Sequence, residues 1–243
     1  MLINKELCIG CGLCVPYCPV NAISIEERKA GIDQDTCTEC GTCGRKSIVK
    51  CPTSAFYDRE DVTKHPRSIR KYFSDPMATH VETKVPGRGT EEIKTNDVTG
   101  RVDKYHYGIG IEMGRPSIST SYQDVEKMTM ALAKFEIEHE PCNPIKFLFE
   151  DEKKGTFTKE TLEQRVISTI IEFNVKKDQL VPVLETILET GKTLNTVFSL
   201  DLIARFDDPA EMPLIPDLSK LGLEPRPNSK INLGLGRPIK EDQ

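Results

Sequence analysis

The chain contains no tryptophan and only four histidines, His65, His80, His106 and His139, too scattered to suggest a histidine-based metal site. Nowhere do about 20 apolar residues run together, so no membrane insertion is expected. Residues 1–6 offer neither an apolar h-region nor a cleavage site, which argues against a secretory signal. A formal charge of −5 gives no reason to expect a nucleic-acid partner. Gly108 and Gly110 lack the third glycine of a dinucleotide fingerprint, and no carboxylates pair at a convincing spacing for acid–base work. These absences point to a soluble, cytoplasmic protein with no evident active site of its own.

What the chain does contain is cysteine, nine in 243 residues. Cys8, Cys11, Cys14 and Cys18 spell C-x2-C-x2-C-x3-C, followed by Pro19. Cys37, Cys40 and Cys43 repeat the triplet 29 positions on, and Cys51-Pro52 closes it. A repeat of this kind governs the reading of everything inside it. Three thiols at i, i+3 and i+6 on a tight loop can wrap one face of an iron–sulfur cubane, and the cysteine before the proline crosses to the other cluster. Gly10, Gly12 and Gly41 allow the backbone angles that such wrapping needs. The expected ligand sets are Cys8, Cys11, Cys14 and Cys51 for one 4Fe–4S cluster, with Cys37, Cys40, Cys43 and Cys18 for a second. Structural zinc closes instead on separated pairs, and a disulfide framework requires an oxidising compartment.

Residues 1–58 resemble the bacterial two-cluster 4Fe–4S ferredoxin domain. The resemblance implies a compact pseudo-twofold domain of paired short strands and two short helices, its clusters close enough to exchange electrons. Potentials near about −400 mV or below are expected. Leu2-Ile3, Ile23-Ser24-Ile25, Gly31-Ile32-Asp33 and Phe56-Tyr57 read as the strands. So small a domain buries little apolar surface, and the clusters should replace much of its core. One departure stands out: an exact repeat would put the last cysteine at Ser47, but it comes at Cys51, after roughly one extra helical turn. Cys51 carries the diagnostic proline and is the expected ligand, with residues 45–50 bulging outward. That bulge reads either as a solvated loop or as a device that tunes the nearby cluster or docks a partner.

Residues 59–100 read as a linker arm interrupted by Pro66, Pro76 and Pro86, with a helical turn near 68–73. Lys64, His65, Arg67, Arg70 and Lys71 gather there, on an arm laid across the protein's own surface or on a basic docking segment for an acidic partner.

Residues 101–206 read as an α+β docking domain. The expected elements are a strand over 101–113 with Tyr105, Tyr107, Ile109 and Ile111 on one face, and a helix capped by Ser119 or Ser121 carrying Val125, Met128, Leu132 and Phe135. A strand over 145–149 should follow, then a helix from Thr158 carrying Leu162, Val166, Ile170 and Phe173. Another helix, capped by Asp178, carries Leu180, Leu184, Ile187 and Leu188 as far as Gly191, before a final strand over 194–206. This order predicts a sandwich of helices on one face of a short, mostly antiparallel sheet. The Pro-rich tail, 207–243, should lie extended along another surface. Cys142, the ninth thiol, has no His or cation nearby in sequence and is expected to be buried or inert.

A coordinatively saturated cubane moves electrons and binds no substrate. The expected function is electron transfer as a subunit or dedicated partner of a larger oxidoreductase, in a hetero-oligomer and an anaerobic or low-oxygen host. The alternative is a reductase or reductive activator that holds a substrate or cofactor beside the clusters. Glu112, Arg115 and the glycines of 108–114 would then form its site, with Arg115 reaching a carboxylate or phosphate.

Overall fold

The computed structural model describes residues 1–90, 99–115, 119–205 and 218–224. In the N-terminal part four short strands form two antiparallel pairs: β1 (Leu2–Ile3), β2 (Ile23–Glu26), β3 (Lys29–Ile32) and β4 (Phe56–Tyr57), joined as β1–β4 and β2–β3. Glu27 and Arg28 both adopt positive φ, the two-residue turn that matches the twist of a tight hairpin. Short 3-10 turns at Val15–Tyr17 and Thr42–Gly44 supply the helical elements. The apolar interior is thin: Ile3, Ile23, Ala30, Val49 and Ala55 are buried with Cys8 and Cys14.

Helix α1 (Arg67–Ser74) follows. It has two working faces. Ile69 and Phe73, one turn apart, are buried in the core of the C-terminal part. Arg67 and Arg70 reach back to the N-terminal part.

The C-terminal part is built from mixed helices and antiparallel sheets. In chain order it contains β5 (His106–Met113), β6 (Thr120–Ser121), α2 (Tyr122–Leu132), β7 (Ile137–His139), β8 (Phe149–Asp151) and β9 (Thr156–Phe157). Then come α3 (Lys159–Leu162), β10 (Arg165–Val166), β11 (Thr169–Lys176), α4 (Leu180–Gly191) and β12 (Phe198–Ala204). The main sheet runs β12-β5-β11-β7, antiparallel throughout. Its register aligns apolar residues in rows, Leu200–Ile111–Ile171 and Leu202–Ile109–Phe173 among them. Alternation puts these rows on one face, and they share a core with Val125, Met128 and Leu132 of α2 and Val183, Leu184 and Ile187 of α4. On the opposite face, a Cβ at Gly108 would stand 2.8 Å from Val102 and 2.9 Å from Ile203. The glycine is what lets these side chains lie against the strand.

Several sequence expectations need correction. The strand expected over 101–113 begins at His106, and Tyr105 is exposed. Residues 145–149 are mostly a 3-10 turn, Pro144–Leu148, because the Asn143 side chain caps it and Pro144 starts it. The helix capped by Thr158 lasts one turn and gives way to β10 and β11. Its supposed stripe falls instead in two strands of β-branched and aromatic residues: Val166 of β10 pairs with Thr120 of β6, and Ile170 and Phe173 of β11 pair with Glu112 and Ile109 of β5. Asp178 sits in a 3-10 turn, and Gln179 precedes α4 without a side-chain cap. The last strand spans only Phe198–Ala204. Ser121, not Ser119, caps α2, accepting a hydrogen bond from Asp124 N at 3.2 Å. Most of the tail reading falls outside the described residues; within 218–224, Leu218, Leu221 and Leu223 pack against the C-terminal core.

Candidate metal centre

Eight thiols divide between two cavities. Cys8, Cys11, Cys14 and Cys51 line one, walled by Ile3, Ile9, Leu13, Ala30, Val49 and Phe56. Cys18, Cys37, Cys40 and Cys43 line the second, beside Met1, Ile23, Ile32 and Thr38. Ser47 lines neither and is exposed. Each set of thiols rings a volume, and among the described residues no group of three or more His, Cys, Asp or Glu converges on a single ion. Four soft donors around a void fit an iron–sulfur cubane better than one tetrahedral ion.

Backbone geometry serves these sulfurs. Ala30 N donates to Cys8 Sγ at 3.3 Å and Ala22 N to Cys18 Sγ at 3.1 Å. Gly10, Gly12 and Gly41 all lie at positive φ, and at Gly10 a Cβ would stand 2.0 Å from the carbonyl oxygen of Arg28.

The electrostatics follow the same division. Burial pushes the Cys43 thiol up to about 12, with added repulsion from Cys40, Cys37 and Cys18. Burial also raises Cys14, and Cys11, Cys8 and Cys51 contribute in the same direction. At Cys51 burial is outweighed by the N–H groups of Ala55, Thr53 and Ser54 and by the Thr53 hydroxyl, which together lower the thiol. Thiolates crowded in this way need a strong positive charge among them, which the irons of a cluster would supply.

The bulge at 45–50 is not simply a solvated loop. Lys46, Ser47 and Ile48 are exposed, but Val49 is 2% exposed and closes the wall of the first cavity. Arg45 donates to the Cys40 carbonyl at 3.3 Å and forms an ion pair with Asp75.

The basic cluster of the arm is largely occupied within the chain. Arg67 pairs with Glu39 at 2.6 Å, and Lys71 with Asp75 at 3.1 Å. Arg70 is buried and donates to the carbonyls of Gln34, Asp35 and Cys37. The two remaining candidates lie apart from both cavities. Glu112 accepts from Arg88 at 3.0 Å and forms an ion pair with Arg115 at 3.3 Å on the sheet. Cys142 is exposed rather than buried, and Arg101 Nη2 lies 3.5 Å from its sulfur. Val49, Lys29, Arg45 and Asp75 had carried no signal of their own, because their roles depend on contacts distant in sequence.

Among the described residues no helix is long and apolar enough to cross a membrane. A family model described as a 4Fe-4S binding domain matches residues 1–24. The chain is 41% identical over 58 residues to Ferredoxin-1 of Rhodobacter capsulatus, covering 24% of this chain and 86% of that one. It is 41% identical over 59 residues to Ferredoxin 7Fe of Hydrogenibacillus schlegelii, covering 24% and 70% respectively. It is also 46% identical over 49 residues to a subunit of the ion-translocating oxidoreductase complex of Methanosarcina acetivorans, which is 20% of this chain and 17% of that protein. No solved structure matches the chain.

Proposed function

Because the chain belongs, through its N-terminal 58 or so residues, to the bacterial 4Fe–4S ferredoxins, we propose that it carries electrons through two 4Fe–4S clusters within a larger oxidoreductase assembly. Each cluster, when bound, takes up and releases single electrons without binding a substrate. Cys8, Cys11, Cys14 and Cys51 hold one, and Cys18, Cys37, Cys40 and Cys43 hold the other. The observation that carries this reading is the pair of similar cavities, each lined by four thiols from both halves of the repeat.

Two features support a role inside an assembly. Most of the chain lies beyond the stretch it shares with small ferredoxins. One relative, matched over that stretch alone, is named as a subunit of an oxidoreductase complex. The C-terminal part then serves as the module that docks the electron carrier on its partner. A cytoplasmic location and a low-oxygen host belong to the same reading.

Anaerobic capture of the tagged protein from its native cells, followed by mass spectrometry, tests the assembly. A stoichiometric larger redox subunit is the expected result. Recovery of the protein alone, with its clusters intact, would reject the assembly role.

A further inference from the structure

Cys8 and Cys37 occupy equivalent places in the two halves of the repeat, and each has a cation on its carbonyl. Lys29 Nζ donates to Cys8 O at 2.6 Å, and Arg70 Nη1 donates to Cys37 O at 2.8 Å. The two cations sit in different surroundings. Lys29 is half-buried and close to water. Arg70 is 5% exposed, held between the halves of the molecule. Its other contacts are all neutral acceptors: Gln34 O, Asp35 O, Glu163 O and Gln164 Oε1, at 2.7–3.1 Å. No described carboxylate forms an ion pair with it. A guanidinium keeps its charge at neutral pH even when buried.

The Asp35 and Asp33 carboxylates also act on Arg70, while two neighbouring ion-paired groups each carry surplus positive charge. The N-terminal ammonium and Arg67 share the single carboxylate of Glu39, and Arg45 and Lys71 share that of Asp75. Each group of three leaves one positive charge over. Charge held out of water acts more strongly and over a longer range than charge that solvent screens. The reduction potential of an iron–sulfur site responds to the net charge around it and to its exposure.

We propose that Arg70 makes the two sites unequal, its buried charge at the Cys37 carbonyl giving the cofactor held by Cys18, Cys37, Cys40 and Cys43 the higher reduction potential. This rests on both cavities being loaded, as read above. Arg70 lies on α1, outside the roughly 58 N-terminal residues matched to Ferredoxin-1 of Rhodobacter capsulatus. The asymmetry favours an electron resting on the site beside the C-terminal part.

The test is an anaerobic redox titration of the full-length holoprotein, followed by electron paramagnetic resonance, after iron and sulfide analysis. Iron sufficient for only one cluster would overturn the two-cluster reading itself. With both loaded, the wild type must titrate in two separate steps; a single shared midpoint overturns the proposal without any variant. Arg70→Gln should lower the higher midpoint alone, by at least a tenfold change in reduced-to-oxidised ratio, or 59 mV for a one-electron couple. Arg70→Lys, which keeps the charge, should recover most of that shift. Lys29→Gln should move only the lower midpoint, and by less. A purely structural role for Arg70 predicts the opposite sign: loosening the two halves would admit water and raise the midpoint. An upward shift, an equal shift of both midpoints or no shift would each reject the proposal.

Discussion

Arg70 and Gln164, 94 positions apart in the chain, are joined by a hydrogen bond of 2.8 Å from Nε to Oε1. The same guanidinium reaches the carbonyls of Gln34, Asp35 and Cys37 in the N-terminal part. One side chain thus ties the loop of the second cavity to the β10 end of the C-terminal part. Ser74 Oγ, at the end of the same helix, accepts from Ile167 N at 2.8 Å and adds a second tie. The C-terminal part is therefore held against the candidate metal centre by specific polar contacts.

Cys51 and Ser47 compete for one role in the sequence, but only Cys51 lines the first cavity. Cys51→Ala should lower the iron content by about half, as expected when one of two similar clusters is lost. Ser47→Ala should leave it unchanged. Iron and sulfide assays with visible absorbance decide between them, and iron loss in Ser47→Ala would overturn the ligand assignment.

Val49 is buried between the exposed residues 46–48 and 50 of the bulge. Val49→Ala removes two methyl groups from the cavity wall, at a cost of roughly 1–3 kcal/mol. The expected signature is faster bleaching of visible absorbance by an iron chelator. Wild-type bleaching kinetics in the variant would show that Val49 does not shield the cluster.

Removal of iron should affect the two parts unequally. The N-terminal interior has few buried apolar residues, whereas the C-terminal core joins the main sheet to α2 and α4. Hydrogen exchange on the chelated protein should show protection lost over 1–58 and kept in β5 and β11. Retained protection over 1–58 would mean that the apolar interior suffices without clusters.

Glu172 is buried in β11 and has one carboxylate oxygen with no hydrogen-bond partner. Its other oxygen accepts from Thr90 and Asn143, yet burial prevails and raises its pKa. The folded state therefore favours the protonated acid. That contribution is fully present below the unfolded glutamate value of about 4.3 and is lost as pH rises through the raised folded value. Wild type should accordingly lose stability relative to Glu172→Gln as pH rises from about 4.3 through the raised folded value. Denaturant titrations of both proteins across that range check it, and a difference independent of pH would contradict it.

The amino-acid sequence by itself determined the chemistry. Cysteine spacings of two and three residues are local, so the loop that presents the thiols is specified where they stand. Apolar alternation in β5 and the stripe of α2 were legible for the same reason. The sequence did not separate helix from strand at Val166, Ile170 and Phe173, because a short apolar run satisfies either period. Pairing with β6 at Val166, and with β5 at Ile170 and Phe173, decided it. Tertiary structure alone placed Val49 in the cavity wall, opposed Arg45 to Asp75, and put Arg70 on the Cys37 carbonyl. These roles come from partners tens of residues away and from the exclusion of water between two packed bodies, neither of which a linear spacing contains.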